Sequence, residues 1–131
     1  MTTEQQSATD TYLCPVDVPL HHLGGKWKLI LCFYLLLEPR RNGELRRLVP
    51  QMPQKMLTQQ LRELERSGLV HRTVHDQLPP KVVYSIVDAE RAGLQRVVDA
   101  MCTWGLDRVA QHGGHILNTT VPDVDEASTR S

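Results

Sequence analysis

The sequence predicts a mainly α-helical fold with one β-hairpin, arranged as a winged helix-turn-helix. Three observations predict it. Residues 53–68 carry Leu57, Leu61 and Leu64 at the i, i+4, i+7 spacing of one helical face. A shorter amphipathic segment and a tight turn precede them, and two β-rich runs separated by breaker residues follow. At 131 residues, with 40% hydrophobic and 23% charged residues, the chain has the size and composition of one domain with a modest core.

The N-terminal part of the chain predicts a short helix and then a core helix. Pro15 suits a first helical turn, and Gly24 and Gly25 end the segment. Its apolar residues at helical spacing are Val16, Leu20 and Leu23. Residues 26–37 are apolar on most sides, which predicts the central buried helix.

Two further helices form the predicted helix-turn-helix. Residues 43–49 form the first, with Leu45, Leu48 and Val49 inward and Arg46 and Arg47 outward. The second is the predicted recognition helix, about residues 54–67, opened by Pro53 and closed by Gly68 in a left-handed cap. Its outward side chains are Gln54, Lys55, Thr58, Gln59, Arg62 and Arg66. Amides and Arg match base edges, and Lys and Arg match phosphates, although one such helix alone also fits an ordinary solvated face.

After Gly68 the apolar residues no longer follow the spacing of a helix. Residues 69–74 and 82–87 are rich in β-branched residues, and residues 75–81 between them contain turn formers. We therefore predict a hairpin, or wing, with His75 and Lys81 at its tip beside the sugar-phosphate backbone of a duplex. The alternative is a plain solvent-exposed turn.

A long last helix is predicted over residues 88–108, with Asp88 as its N-cap. Its apolar stripe consists of Leu94, Val97, Val98, Met101, Trp104 and Leu106. A small domain does not need so long a stripe, which favours dimerisation through a partner subunit that covers this helix. The alternative is that the helix folds back on its own core. The expected divisions are a disordered N-terminus at 1–11, the domain at 12–110 and a flexible acidic tail at 111–131.

The charge is uneven although the formal net charge is zero. Residues 40–72 carry a net charge of +5, whereas both ends are acidic. A polyanion would therefore meet the middle of the chain, unless the cations are a chance cluster on a solvated face. The longest apolar run, residues 29–37, is about half a membrane span, and the first residues do not resemble a signal peptide. We therefore expect a cytoplasmic protein without membrane association.

The residues that carry chemistry are few. Three cysteines without repeated spacing argue against a disulfide scaffold, and the lack of a CxxC pair argues against a zinc site, so we expect no metal and no cofactor. A metal-sensing set made of Cys14, His21 and His22 is a weak alternative. No nucleotide-binding Gly loop, nucleophile elbow or paired-carboxylate motif occurs, which indicates that the chain is not an enzyme.

Ordered short motifs resemble the HxlR family of bacterial winged-helix transcription regulators. They are Cys14-Pro-Val, Gly24-Gly-Lys-Trp27, Glu44-Leu-Arg-Arg47, Lys55-Met-Leu-Thr58, Leu61-Arg-Glu-Leu64, Gly68-Leu-Val70, Pro79-Pro80, Tyr84-Ser85 and Trp104-Gly105. The resemblance implies a homodimer that pairs through the N- and C-terminal helices. Its two recognition helices and wings are then expected to bind a palindromic operator in double-stranded DNA. By position, it implies that bases are read by Gln54, Lys55, Thr58 and Gln59. It implies that phosphates are contacted by Arg41, Arg46, Arg62 and Lys81.

The sequence departs from the family pattern at Asn42, His75, Gln77, Lys81, Val83 and Glu90. Most of these lie in or near the wing. Lys81 cannot hold a phosphate in a two-pronged fork, as the usual Arg can.

The resemblance also implies a possible sensor. In some members the cysteine at the position of Cys14 senses oxidants, quinones or other electrophiles, and a thiol at a helix start is favoured as thiolate. The alternative is an unreactive cysteine kept by packing. Cys32 falls in the apolar helix and Cys102 near the apolar stripe of the last helix, so both are expected to be inert. An alternative signal is a small-molecule effector that binds at the dimer interface near Trp27 and Trp104. The remaining alternative for the function of the protein is an interaction module that has lost DNA binding.

Overall fold

The computed structural model describes residues 10–118, which form helices and one antiparallel hairpin in the predicted order. The elements are α1 (Asp17–Leu23), α2 (Trp27–Leu37), α3 (Asn42–Leu48), α4 (Gln54–Arg66), β1 (Val70–His75), β2 (Lys81–Ile86) and α5 (Asp88–His112). This is a winged helix-turn-helix, as the pattern of periods predicts. Among the described helices, none combines the length and the apolar character that crossing a bilayer requires.

Helix α2 is the centre of the core. Leu31, Cys32 and Leu35 on this helix are completely buried. Helices α4 and α5 and strand β2 all pack against it. The prediction of a central buried helix from an all-round apolar segment is therefore confirmed.

The helix-turn-helix consists of α3, a short turn and α4. The N–H of Val49 donates to the carbonyl of Leu45 at 2.9 Å, and the N–H of Met52 donates to the carbonyl of Val49 at 3.1 Å. The Met52 side chain is buried and anchors the turn in the core. Helix α4 buries Leu57, Leu61 and Leu64, so the predicted inner face is confirmed.

Gly68 ends α4 in a Schellman motif. Its φ angle is 79°, in the left-handed region that favours glycine. The N–H of Gly68 donates to the carbonyl of Glu65 at 3.0 Å, and the N–H of Leu69 donates to the carbonyl of Leu64 at 3.1 Å. Because β1 begins at Val70, this cap also sets the direction in which the hairpin leaves the recognition helix.

The hairpin is tied to the chain segment that precedes α3. Its register runs from Val70 opposite Ile86 to His75 opposite Lys81. Arg40 pairs with Tyr84 through two backbone hydrogen bonds, of 2.9 and 2.8 Å, and so adds a short third segment to the sheet. The Arg40 Nε also donates to the carbonyl of Tyr34 at 3.3 Å. Arg40 therefore belongs to the framework rather than to the open surface.

Helix α5 differs from its prediction at both ends. Its N-cap is Val87, so the prediction that Asp88 is the cap was wrong by one residue, and Asp88 is the first helical residue. The helix continues to His112, so residues 111 and 112 are helical and not part of a tail. The rest of the predicted tail, beyond residue 118, and most of the predicted disordered N-terminus, residues 1–9, lie outside the described residues.

Candidate nucleic-acid interface

The outer face of α4 is an open polar surface. Because Leu57, Leu61 and Leu64 face the core, the intervening positions face outward. The exposed side chains are Gln54, Lys55, Thr58, Gln59, Arg62 and Arg66. All six outward positions predicted from the helical spacing are therefore exposed.

Hydrogen bonds within this face hold two of its amides. The Gln54 Nε2 donates to the Thr58 Oγ1 at 3.0 Å, one helical turn away. The Gln59 Nε2 donates to the Glu63 Oε2 at 3.2 Å. Two of the base-reading candidates are thus held by neighbours on the same helix before any ligand binds.

Glu63 also connects the face to the core helix. Its Oε1 lies 2.6 Å from the Nζ of Lys28 on α2. Hydrogen bonding to Lys28 is the largest cause that lowers the pKa of Glu63, partial burial opposes it, and Gln59, the Lys28 charge and Arg66 lower the pKa further. The carboxyl group is consequently held as an acceptor-only carboxylate.

A groove of about 430 Å³ lies between α3 and the start of α4. Its lining residues are Gly43, Arg46, Arg47, Pro50, Met52 and Gln54. Arg46 was a predicted phosphate contact and shares this groove with Gln54, a predicted base contact. Arg47, which is exposed, was not among the predicted site residues, although the sequence places it outward on the same short helix.

A second concavity, of about 400 Å³, joins α4 to the hairpin. Its lining residues are Thr58, Arg62, Glu65, Arg72 and Tyr84. Arg72 is exposed on β1 and was missed as a site residue. The only signal for it in the sequence is its place in the basic stretch 40–72. Two arginines and one glutamate therefore line a hollow beside α4, which has an excess of positive charge.

The remaining DNA-contact candidates lie outside these two hollows. Arg41 is exposed and precedes α3, where its N–H donates to the Glu44 Oε1 at 2.7 Å. Lys81 is half-buried and pairs with His75 at the loop end of the hairpin. Lys55 and Gln59 project from α4 itself. The helix-turn-helix side therefore has a basic surface, to which these cations contribute: Arg41, Arg46, Arg47, Lys55, Arg62, Arg72 and Lys81.

The three cysteines have different surroundings. Cys14 is exposed, but it lies in the turn before α1 rather than at the helix start, which corrects the expectation that the helix N–H groups act on its sulfur. Burial raises the pKa of Cys32 to about 12. Burial, helped by Asp99, also raises the pKa of Cys102. The raised pKa disfavours the thiolate at Cys32 and at Cys102. Because Cys14 is exposed, its thiol is the accessible one among the described residues.

The histidines near Cys14 make other contacts. The His21 Nε2 lies 3.5 Å from a carboxylate oxygen of Asp17. The His22 Nε2 lies 3.5 Å from the Tyr12 hydroxyl. Within residues 10–118, the structure contains no cluster of three or more side chains suited to holding a metal ion.

A larger apolar cavity, of about 670 Å³, lies between α2, α5 and the segment after α5. Trp27 lines it, with the Nζ of Lys26 lying 4.8 Å from the centre of its ring. Trp104 does not line it within the single chain, and its side chain is 67% exposed with Arg108 over the ring. The two tryptophans predicted near one effector site are therefore not brought together by the single chain.

The elements at both ends of the chain carry exposed apolar side chains. Before and within α1 these are Leu13, Val16, Val18 and Leu20. On α5 they are Val97, Met101, Trp104 and Leu106. Leu94 and Val98 on the same helix are buried against the core. Helix α5 thus has one apolar face turned inward and another turned outward.

Comparisons with known proteins agree with this architecture. A family model described as HxlR-like helix-turn-helix matches residues 22–113. The HTH-type transcriptional regulator YtcD of Bacillus subtilis strain 168 is 43% identical over 116 residues, 88% of either chain. The redox regulator HypR in its oxidised form is 46% identical with a TM-score of 0.67, over 72% of this chain and 96% of that one. Quinone-bound YodB from B. subtilis is 30% identical with a TM-score of 0.60, over 72% of this chain and 99% of that one.

Proposed function

The chain belongs to the HxlR-like helix-turn-helix family, and from this premise we propose that it is a homodimeric, sequence-specific DNA-binding transcription regulator. The observation that carries the proposal is the open amide-and-cation face of α4, flanked on both sides by hollows lined with Arg side chains. DNA as the partner also implies that the protein acts in the cytoplasm.

In this proposal α4 enters the major groove. Its first turns present Gln54, Lys55, Thr58 and Gln59 to base edges, because amide and hydroxyl groups match the donor and acceptor pattern there. The phosphate contacts come from Arg41, Arg46 and Arg62, with Lys81 on the wing. Arg47 and Arg72 join this set, because they share the two hollows with Arg46 and Arg62.

The proposed dimer uses the exposed apolar residues of α1 and α5. A second copy that covers Leu20, Met101 and Trp104 removes from water a surface that a monomer leaves exposed. A twofold axis through this contact turns two copies of α4 toward one side of the dimer. Half-sites about 34 Å apart, one turn of DNA, then form a palindromic operator.

The test is the salt dependence of binding by an Arg62→Ala variant. If Arg62 contacts a phosphate, its loss weakens binding to every sequence and reduces the slope of log K against log salt by about 1. Fluorescence anisotropy with an operator selected from random DNA measures both quantities. Arg96→Ala removes an equal charge from an exposed site on α5 and should preserve the slope. An unchanged slope in Arg62→Ala contradicts the assigned role.

A second candidate function, thiol sensing, is favoured by the exposed Cys14 and by the similarity to the redox regulator HypR and to quinone-bound YodB. In this case an oxidant or quinone reacts at Cys14 and changes the position of α1 in the dimer, and the operator is released.

The test compares operator release by wild type and Cys14→Ser after treatment with diamide or benzoquinone. We expect release by wild type and retention by Cys14→Ser. Cys102→Ala is the control, since the partly buried Cys102 thiol should not react and this variant should release DNA like wild type. Equal release by wild type and Cys14→Ser would exclude thiol sensing through Cys14.

A further inference from the structure

We infer that Glu63 and Lys28 are positioning residues that fix the Gln59 amide in the orientation that reads an adenine in the major groove. The inference rests on the proposed function and deepens it, because it assigns a base preference to one residue and a reason for that preference to two others.

The three side chains form a continuous chain from the core helix to the outer face of α4. Lys28 lies on α2, and its side chain is only 14% exposed. Its Nζ donates to the Glu63 Oε1 at 2.6 Å, and the Gln59 Nε2 donates to the Glu63 Oε2 at 3.2 Å. Each oxygen of the Glu63 carboxylate therefore has its own donor.

This arrangement decides which end of the amide faces inward. An ionised carboxylate only accepts hydrogen bonds, so the NH₂ end of Gln59 must point toward it, and the carbonyl end cannot. The orientation therefore follows from the chemistry of Glu63 and does not depend on distinguishing nitrogen from oxygen in the amide. Lys28 strengthens the constraint, because its ammonium keeps the carboxylate ionised and anchors it against α2.

A glutamine held in this way presents a definite pattern outward. One amide hydrogen is used by Glu63, while the carbonyl oxygen and the second hydrogen remain on an exposed side chain. These two groups, one acceptor beside one donor, match the N6 amino group and the N7 of adenine. A flipped amide reverses the order of acceptor and donor and loses this match. Glu63 also disfavours other bases at this position, because flipping costs the hydrogen bond to its carboxylate.

Replacement of Glu63 by Gln tests the inference. Because the Lys28 ammonium only donates, the carbonyl of the new amide faces Lys28 and its NH₂ end faces Gln59, so the orientation that Glu63 imposes on the Gln59 amide is lost. We expect selection from random DNA to give wild type a preferred adenine at one position in each half-site, and Glu63→Gln to lose about tenfold of that preference. Gln59→Ala should lose the preference at the same position, and Lys28→Met should weaken it there.

Glu65→Gln is the matched control. It removes the same charge from the same helix. Glu65 lines the second concavity, so its loss should strengthen binding to every sequence alike. It lies outside the i, i+3 and i, i+4 spacings at which side chains on a helix meet Gln59, so the adenine preference should persist. The thermal unfolding midpoints of all variants show whether each is folded. If Glu63→Gln does not fold, Gln59→Ala still tests the base preference, because it changes an exposed residue.

The outcomes separate this inference from the proposed function. If wild type selects no DNA sequence, the proposed function fails. If wild type selects a palindrome but Gln59→Ala leaves every base preference unchanged, the role of Gln59 is overturned while DNA binding stands. If Glu63→Gln behaves like Glu65→Gln at the Gln59 position, the positioning role of Glu63 is overturned.

Discussion

At the scale of one residue, Glu63 contributes both to the surface of α4 and to the free energy of unfolding. Its folded-state pKa is lowered, chiefly by the hydrogen bond from Lys28. A group with a depressed folded pKa stabilises the protein above its unfolded pKa, and this stabilisation is lost as the pH falls through the folded pKa.

We therefore predict that the stability difference between wild type and Glu63→Gln depends on pH. The difference should be present near neutral pH and shrink as the pH falls below the ordinary carboxyl value of about 4.5. Urea unfolding at a series of pH values measures it. Because the Glu63 side chain is 30% exposed, solvent screening keeps the effect modest. A difference that stays constant with pH would contradict the coupling to Lys28.

Contacts between residues that are far apart in the chain could not be predicted from this sequence. The outward set on α4 could be predicted because one helical period determines it. Lys28 and Glu63 are 35 positions apart, and nothing in either local pattern indicates that they meet. Arg72 was missed for the same reason, since its place beside Arg62 depends on how the hairpin packs against α4.

The recognition helix and the wing show how an element's ends are decided. Gly68 was predicted as the cap of α4 because the apolar period stops there and glycine tolerates a positive φ, and its 79° angle confirms this. The ends of α5 were harder to predict from the sequence. Val87 takes the capping position without a side-chain hydrogen bond, and the polar residues Gln111 and His112 extend the helix up to Gly113.

Two glycine substitutions test the element scale, and each is the other's control. No atom lies within 4 Å of a Cβ added at Gly68 or at Gly93. Gly68→Ala should therefore destabilise the fold by about 1 kcal/mol, purely through its left-handed backbone. Gly93→Ala, inside α5, should stabilise it by about 0.5 kcal/mol, since alanine has the higher helix propensity. Chemical denaturation measures both, and equal signs for the two changes would contradict this account.

The outward apolar face of α5 has its consequence at the scale of the whole molecule. Trp104 is 67% exposed and Met101 is 54% exposed, while Leu94 and Val98 on the same helix fill the core. The sequence predicts the excess of apolar residues on this helix but not how they divide between the core and the outer face. That division depends on where α2 stops covering α5.

We predict that Trp104→Glu converts the proposed dimer into a monomer. A carboxylate at this position puts a charge into the proposed interface, where it lacks the water that stabilises it. Light scattering coupled to size exclusion measures the mass at fixed protein concentration. Leu78→Glu is the control, because Leu78 is 97% exposed on the wing and its change should preserve the dimer. A Trp104→Glu protein that keeps the mass of wild type would place the interface elsewhere.

The bridge between Arg40 and Tyr84 joins the two ends of the proposed DNA-reading part of the molecule, which runs from the start of α3 to β2. The segment entering α3 is fastened to the hairpin, and the hairpin is fastened to α4 through Gly68. Helix α4 and the hairpin are consequently connected both through the Gly68 cap and through the segment that enters α3. One base pair inserted between the half-sites rotates the second half-site by about 34° around the duplex axis. In the proposed dimer, we expect the contact between the subunits to take up that rotation, because within each subunit the hairpin is connected to α4 and to the segment before α3.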